Sequence, residues 1–440
     1  MSRSRKNQVP REFELEVTDL LQDGRGVGRL EGKAVFVSGA LPGERVRVRQ
    51  TGRNKQFDEG ETLEVLQASV DRIVPRCPHF GVCAGCVLQH LGQAQQIAAK
   101  QRVLEENLAR IGHVEPGRML EPLVDEAWGY RRKGRFSVRY VEKKGRIVLG
   151  FRELNPRFVA ELAECHTILP ELGSRIPQLV ALIESLEGKR AIPQVEFIAG
   201  SGPVALVFRH LEPLSASDLE AMKAFATETG FAVFLQSGGV DSVRALWPEQ
   251  VDLHFDIPAF DLQLAFRPLD FIQVNAGLNQ KMIARALEML DPLPGDRVLD
   301  LFCGLGNFIL PLARRAGRVV GVEGDAGLVA RARENAARNG LDNVEFHAAD
   351  LAKDLSSEPW MRAGFDKLLI DPPRAGAAEV LTQLPLAGIR RIVYVSCHPG
   401  SLARDAGFLV RERGYRLVSA GAMDMFPQTA HVESIALFEK

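Results

Sequence analysis

Apolar and polar positions alternate with a period of two over the first part of the chain. Phe13, Leu15 and Val17 alternate with Glu12, Glu14 and Glu16, Val35 and Val37 flank Phe36, and Val46 and Val48 alternate with arginines. Successive side chains of a strand point to opposite faces, so this pattern predicts short, half-buried strands. Breaks at Asp23-Gly24, Gly28, Gly32 and Pro42-Gly43 supply the turns, and together they predict a small β-barrel of the OB kind over residues 10–69. From Leu91 the period lengthens. Ile97, Leu104, Leu108 and Ile111 fall on one side of a helix ending near Gly112, and the segment 92–119 is expected to pack on the C-terminal domain.

Strand-like pieces at 134–140, 147–151, 194–198, 204–208 and 232–236, with helical stretches at 179–186 and 216–229, predict a β-rich central domain over 120–265. Residues 70–91 are assigned to the same domain. From about residue 266 the texture changes to alternating helix and strand: helix 278–290, strand 297–302, helix 308–316, strand 319–323, helix 326–339, then strands at 344–347, 367–370, 391–395 and 435–438. That alternation predicts an α/β domain over 266–440, with a mostly parallel sheet whose ligands sit at the carboxyl ends of the strands.

The chain has 440 residues, 46% apolar and 25% charged, which suits two to four folded domains and excludes global disorder. No apolar run approaches the ~18 residues of a membrane span, and the basic start Met1–Lys6 has no apolar stretch behind it. Six cysteines, three of them within ten residues, point to metal or catalytic thiols in a reducing compartment, hence to the cytoplasm. Net charge is −1, yet basic residues cluster: Arg3, Arg5, Lys6 and Arg11; Arg45, Arg47, Arg49, Arg53 and Lys55; and eight lysines and arginines between Arg131 and Arg146. Such runs are expected to meet a polyanion, with Tyr130, Phe136 and Tyr140 either stacking on bases or forming part of the core of the central sheet.

Arg297-Val-Leu-Asp-Leu-Phe-Cys-Gly-Leu-Gly-Asn307 reads as a strand entering a glycine turn and a helix, where the backbone can approach a ligand. Glu323 ends the next strand and can take both hydroxyls of a ribose. The dinucleotide fingerprint is incomplete after Gly306, so the cofactor has a ribose without a pyrophosphate, which fits S-adenosylmethionine. Asp350 and Asp371 each close a further strand. Cys397 follows Val393–Ser396 at a strand's carboxyl end, a placement suited to nucleophilic attack, whereas Cys303 reads as a buried thiol. Glu433, at the start of the last strand, can act as a general base. Cys77, Cys83 and Cys86 crowd one loop; their spacing alone suits zinc, with His79 as a further ligand, or an iron–sulfur cluster.

Asp371-Pro-Pro-Arg374, Ser396-Cys397 and His431-Val-Glu433 together resemble the RNA uracil-C5 methyltransferases. The barrel is similar to that family's TRAM domain, and Cys77, Cys83 and Cys86 with the distant Cys165 are similar to its [4Fe-4S] site. The resemblance covers nearly the whole chain. It implies an α/β Rossmann-like S-adenosylmethionine-dependent methyltransferase domain behind an RNA-binding barrel and a central domain carrying the iron–sulfur cluster. It also implies a cytoplasmic monomer acting on 23S rRNA. By it, Cys397 is the nucleophile and Glu433 the base, and Gln273, Phe302, Asn307, Glu323, Asp350 and Asp371 contact S-adenosylmethionine. Cys77, Cys83, Cys86 and Cys165 hold the cluster. The chain departs from the family in having Ala84 within its Cys-x-x-Cys pair and His398 where Asn is usual.

A uracil-C5 enzyme for tRNA or another rRNA position remains a rival, although the tRNA enzymes usually lack the barrel and the cysteine cluster. A cytosine-C5 enzyme expects Cys, and an amino-methyltransferase an aromatic, where this chain has Arg374. A non-catalytic RNA-binding assembly factor is the rival of another class, and the pairing of Cys397 with Glu433 speaks against it.

Overall fold

The computed structural model describes residues 11–440, so Arg3, Arg5 and Lys6 of the first basic run lie outside the described residues. The chain forms two compact units, residues 11–100 with 427–431, and residues 101–426 with 432–440.

In the first unit, β1 (Glu12–Leu20), β2 (Gly26–Leu30), β3 (Lys33–Ser38), β4 (Arg45–Arg53) and β5 (Phe57–Gln67) close a barrel in the order β1-β2-β3-β5-β4. Its interior is the set of alternating apolar positions, Leu15, Val17, Val35, Val37, Val46 and Val48, all nearly or fully buried. Closure is tight at Gly28, where a Cβ would stand 2.4 Å from the Glu16 carbonyl oxygen. On the outer face the glutamates of β1 sit opposite the arginines of β4, Glu12 to Arg49, Glu14 to Arg47 and Glu16 to Arg45. Arg47 also pairs with Glu64 at 3.2 Å and Arg49 with Glu61 at 3.3 Å. Much of this basic run is therefore answered by acids on neighbouring strands. Beyond the barrel, buried Glu44 accepts from the Leu41 and Ser69 backbone N–H groups and from Arg72 at 2.5 and 2.8 Å. Burial alone would raise its carboxyl, but the Arg72 bond and these backbone donors outweigh it and hold the carboxyl below its ordinary range.

Helix α1 (Gln93–Asn107) runs into a π-turn, Leu108–Gly112, that ends at His113 in the left-handed region (φ 51). Leu104 and Leu108 are buried as the periodicity predicts, but Ile111 is 49% exposed and Gln96 is buried. Gln96 can be interior because its amide is satisfied: it donates to the Leu88 and Leu91 carbonyls and exchanges bonds with Gln428.

The second unit contains two sheets and a hairpin. After the short β6 (Arg118–Met119), β7 (Lys133–Val141), β8 (Arg146–Gly150), β9 (Gln194–Ile198), β10 (Ala205–Arg209), β11 (Ala232–Gln236) and β12 (Val243–Trp247) form a sheet in the order β12-β11-β10-β9-β7-β8. Helices α2 (Pro170–Gly173), α3 (Ile176–Ser185) and α4 (Ala216–Thr229) accompany it. The hairpin β13 (His254–Ile257) and β14 (Leu262–Ala265) leads into the second sheet.

Part of the basic run on and around β7 has partners within the fold. Arg131 Nε donates to the Lys133 carbonyl, and the Lys133 ammonium reaches the Leu269 and Asp270 carbonyls. Arg135 pairs with Glu196 at 3.1 Å, and Lys144 and Arg146 share Glu161 at 2.9 and 3.0 Å. Tyr130 and Phe136 are core residues, 5% and 0% exposed, and Tyr140 lies 4.0 Å under Arg190. The acidic partners lie 15 to 61 residues away in the chain, which is why the run looks unbalanced when read linearly.

The second sheet has the order β17-β16-β15-β18-β19-β21-β20-β6. Its strands are β15 (Arg297–Leu301), β16 (Arg318–Glu323), β17 (Val344–Ala348), β18 (Lys367–Ile370), β19 (Arg391–Ser396), β20 (Arg416–Met423) and β21 (Glu433–Glu439). β17 through β19 are parallel, and β21 runs antiparallel to β19. One face packs on α5 (Ala276–Leu290), α6 (Ile309–Ala313) and α7 (Ala326–Arg338), through Leu278, Met282, Ile309 and Val329. The other packs on Leu104, Leu108, α8 (Ala378–Gln383) and α9 (Pro399–Arg411), through Val380, Leu381, Leu402 and Ala406. Strands covered on both faces read as continuous apolar runs, and the parallel ones end together on one rim. Among the described residues no helix is long and apolar enough to cross a membrane.

Candidate active site

The rim is built first from the turn after β15. Phe302 is left-handed (φ 63), an unfavourable conformation for a bulky residue, and is held by its N–H on the Val322 carbonyl at 2.8 Å. Gly304 follows with φ 55, and a Cβ built on it meets nothing within 4 Å, so the turn opens onto space. Glu323 is fixed by two backbone donors, Gly304 N on Oε2 at 3.1 Å and Asp325 N on Oε1 at 3.0 Å. Asn307 exchanges two amide bonds with Asn279, at 2.9 and 3.0 Å.

Three carboxyls converge here. Asp300 is fully buried and its carboxyl is pushed well above the usual range, first by burial and then by the charges of Asp371 and Glu323. Burial alone pushes Asp371 up to about 7. An acidic group of this kind in a crevice favours a cation, and the sulfonium and ammonium groups of S-adenosylmethionine have that charge. The donor set, with the open Gly304 turn and the anchored Glu323, fits that cofactor. Asp350 has a different setting: it is exposed, and its carboxylate accepts from Ala352 N and pairs with Lys353 at 3.2 Å. Gln273 lines a separate cavity beside α5. Of the six expected cofactor contacts, the structure therefore gathers Phe302, Glu323 and Asp371 at the strand ends, with Asn307 in the same turn.

Cys397 and Glu433 come from adjacent antiparallel strands. Ser396 at the end of β19 pairs with Ser434 of β21, and the next residues outward are Cys397 and Glu433. Glu433 is 9% exposed and Cys397 is half-buried. The thiol is pushed up to about 11, first by burial, then by the Glu433 and Asp371 charges, with Arg374 acting in the opposite direction. Cys397, Glu433 and the Asp371–Arg374 loop thus share one electrostatic environment. Cys303 is buried in the core, as its apolar setting predicts.

His398 is a helix cap. Its Nδ1 accepts the Ser401 N–H at 3.1 Å and so caps α9 immediately after the nucleophile. Pro399 at the first helical position costs no hydrogen bond there.

A residue that sequence reasoning missed is Asp405, 1% exposed on α9. Its Oδ2 accepts the Tyr394 hydroxyl of β19 at 2.7 Å and the Ala377 N–H at 2.8 Å, while Arg404 binds Oδ1. It thereby ties the loop after Asp371 to the strand carrying Cys397. Gly376 (φ 87) is required there, because a Cβ would stand 2.7 Å from Asp405 Oδ2. Asp405→Ala is expected to lower stability by about 3 kcal/mol, since it leaves buried donors without an acceptor. Urea denaturation checks this; a loss below about 0.5 kcal/mol would contradict the anchoring role.

In the cysteine loop, the Gly85 N–H donates to Cys83 Sγ at 3.4 Å, and Cys77, Cys83 and Cys86 are half-buried thiols, as is Cys165. Among the described residues no group of three or more His, Cys, Asp or Glu is gathered as a metal site.

Comparison with known proteins bears on this site. The tRNA (uracil-5-)-methyltransferase family model matches residues 175–440, and the TRAM domain model matches residues 6–66. A 23S rRNA (uracil(1939)-C(5))-methyltransferase RlmD of Xanthomonas campestris pv. campestris is 66% identical over 442 aligned residues, covering 100% of this chain and 99% of that protein. The protein of the same name from Stenotrophomonas maltophilia strain K279a is also 66% identical, with the same coverage. Among solved structures, the Pyrococcus abyssi tRNA (uracil-54, C5)-methyltransferase with S-adenosyl-L-homocysteine superposes with TM-score 0.75, covering 97% of this chain and 99% of that one. It is 23% identical, a likeness that shows the shared fold.

Proposed function

We propose, from the premise that this chain belongs to the tRNA (uracil-5-)-methyltransferase family of RNA uracil-C5 methyltransferases, that it forms 5-methyluridine in 23S rRNA. By the relatives' names the site is uracil 1939. The observation that carries the reading is the placement of Cys397 and Glu433 side by side at the ends of β19 and β21, next to the Asp371–Arg374 loop.

The chemistry follows from what uracil lacks. Its C5 is too weak a nucleophile to accept a methyl group unaided. The Cys397 thiolate adds to C6, the electron pair of the C5–C6 double bond moves to an enolate, and C5 becomes nucleophilic. S-adenosylmethionine, when bound, supplies the electrophilic methyl group. After C5 is methylated, Glu433 takes its proton, the double bond re-forms and the C6–S bond breaks, which releases the thiolate. Covalent catalysis thus divides one difficult step into easier ones. A stacked uracil cannot offer C6 to a half-buried thiol, so the target must be unpaired or flipped out.

Gln273, Phe302, Asn307, Glu323, Asp350 and Asp371 are assigned to S-adenosylmethionine, with Glu323 on the ribose hydroxyls and the buried carboxyls facing the cationic end. The barrel, as a TRAM domain, is assigned to RNA phosphates and folded RNA shape. We place the enzyme in the cytoplasm as a monomer. By the family resemblance Cys77, Cys83, Cys86 and Cys165 are assigned to a [4Fe-4S] cluster, although among the described residues no three of them are gathered as a metal site. Methyl transfer needs no redox step, so the cluster would supply structure. Anaerobically purified protein is expected to carry about four irons and four sulfides per chain; protein free of both would contradict the assignment.

The proposal is tested by methyl transfer from tritiated S-adenosylmethionine to 23S rRNA that lacks the modification. Incorporation of about one methyl group per RNA, mapped to uracil 1939, is expected. Label in tRNA alone, or at another rRNA position, would point to a sister activity of the same family, and no label at all to a non-catalytic RNA-binding protein.

A further inference from the structure

Most of the β7 basic run is occupied by internal partners, but Arg132 is not placed like its neighbours. It borders a cavity of about 470 Å³ within the second unit, where Nη1 donates to the Gly200 carbonyl at 3.1 Å. Arg175 lines the same cavity, bonded to the Thr229 carbonyl at 3.1 Å and 5.7 Å above the Phe231 ring. A guanidinium carries five N–H donors, so one bond to a carbonyl leaves most of its capacity for a ligand. The turn Gly200-Ser201-Gly202 forms one wall and needs its first glycine, because a Cβ there would stand 1.9 Å from the His254 carbonyl oxygen. Asp256, Phe255 and the exposed Gln280 contribute a carboxylate, a ring and an amide to the lining.

The volume suits one nucleotide rather than a helix or a peptide. Guanidiniums are the usual partners of a phosphate, an amide and a carboxylate can read the edge of a base, and a phenyl ring offers it a stacking face. Phe302, Glu323, Asp371 and Cys397 do not line this cavity, so it is not the reaction centre, although Gln273, assigned above to S-adenosylmethionine, is on its wall. It is nevertheless coupled to that centre, because Asn279, on its wall, is the residue that exchanges amide bonds with Asn307 in the cofactor turn.

We propose that this cavity holds a second unpaired nucleotide of the RNA, distinct from the uracil that reacts, with its phosphate on Arg132 and Arg175 and its base against Phe255, Asp256 and Gln280. The proposal rests on the RNA-methyltransferase reading above. It gives the enzyme a way to require a particular single-stranded neighbour, and so to choose among unpaired uracils.

The test uses the full-length protein and an RNA hairpin spanning uracil 1939, with each unpaired position near the target made abasic in turn. Dissociation constants are measured for wild type, Arg132→Gln and Gln280→Trp; the last fills the cavity from its exposed rim and does not touch the Gly200 bond. One abasic position is expected to weaken wild-type binding about tenfold, the size of one stacked base. That same position should cost the two variants less than about twofold, because they have already lost the contact, while their affinity for S-adenosylmethionine stays within about twofold of wild type. Equal losses in all three proteins would overturn the proposal, and so would variants that weaken S-adenosylmethionine instead of RNA. Methyl transfer to the unmodified hairpin is read in parallel. Its absence, with the binding coupling intact, would defeat the methyltransferase reading but not the nucleotide site. Methyl transfer with additive binding losses would defeat only the site.

Discussion

Cys397→Ala is expected to lower methyl transfer by about four to six orders of magnitude, while binding of RNA and of S-adenosylmethionine stays within a few-fold of wild type. The size of the effect comes from the substrate: without a thiolate on C6, C5 has no route to the enolate that accepts the methyl group. The pH behaviour of this thiol follows from its surroundings. Burial and the neighbouring charges of Glu433 and Asp371 hold it at about 11, so in the cofactor-free protein it is protonated at neutral pH. Alkylation of Cys397 by iodoacetamide should therefore quicken about tenfold per pH unit between pH 7 and 10, as the thiolate fraction rises toward that value. A bound sulfonium cation stabilises the thiolate and lowers its pKa. S-adenosylmethionine should thus speed alkylation at neutral pH, where it leaves the thiol accessible, more than does the product S-adenosylhomocysteine, whose thioether lacks the sulfonium charge. A Cys397→Ala protein with more than about one per cent of wild-type turnover would contradict the assignment of the nucleophile.

Glu433→Gln should separate the two halves of the reaction. The amide keeps the shape of the side chain but cannot take the C5 proton. Methylation of the adduct can proceed, but collapse of the adduct is blocked, and turnover is expected to fall by about 10²–10⁴-fold. The distinguishing result is accumulation: after incubation with RNA and S-adenosylmethionine, a covalent protein–RNA species carrying the methyl group should build up in Glu433→Gln and not in wild type. Electrophoresis under denaturing conditions with labelled RNA reads it directly. A variant that is slow without accumulating this species would place the proton on another group.

The expected effects also show which parts of the molecule can be read in the chain and which cannot. Period-two alternation at Leu15, Val17, Val35, Val37, Val46 and Val48 marked the barrel because one face of each strand is interior and the other wet. The strands β15, β16, β18 and β19 were visible because parallel strands covered on both faces become apolar runs. β20 escaped detection: Leu-Val-Ser-Ala-Gly-Ala is made of small residues, is mostly buried and shows no alternation. Helix α9 also escaped, because His398-Pro399-Gly400 has the composition of a turn, although Pro399 is in fact a helix start. Asp405 looks like one more acid on a solvated helix face. Its role depends on Tyr394 and Ala377, 11 and 28 residues away, and only folding brings them together. Asp300, inside an apolar strand, shows no sign in the sequence that its carboxyl joins those of Asp371 and Glu323.

Charge is only partly legible in the chain, because the acids that pair with it are distant in sequence. Of the eight cations in Arg131–Arg146, three are paired with Glu161 and Glu196 across the fold. What remains informative there is position rather than number: Arg132 borders a cavity, whereas Arg131 and Lys133 hold the backbone. His398 shows a related case. Its side chain is a helix cap that the sequence does not announce, since only the fold brings the Ser401 N–H onto its Nδ1.

The most direct test replaces the reactive uracil in the RNA hairpin with 5-fluorouridine. Fluorine at C5 cannot leave as a proton does, so the reaction should stop with the ring still bonded to sulfur. After digestion, mass spectrometry should find the methylated fluoropyrimidine on the peptide that contains Cys397, and on no other cysteine peptide. Ready turnover of the fluorinated RNA with no adduct, or an adduct that persists in Cys397→Ala, would show that the methyl group reaches uracil by a different route.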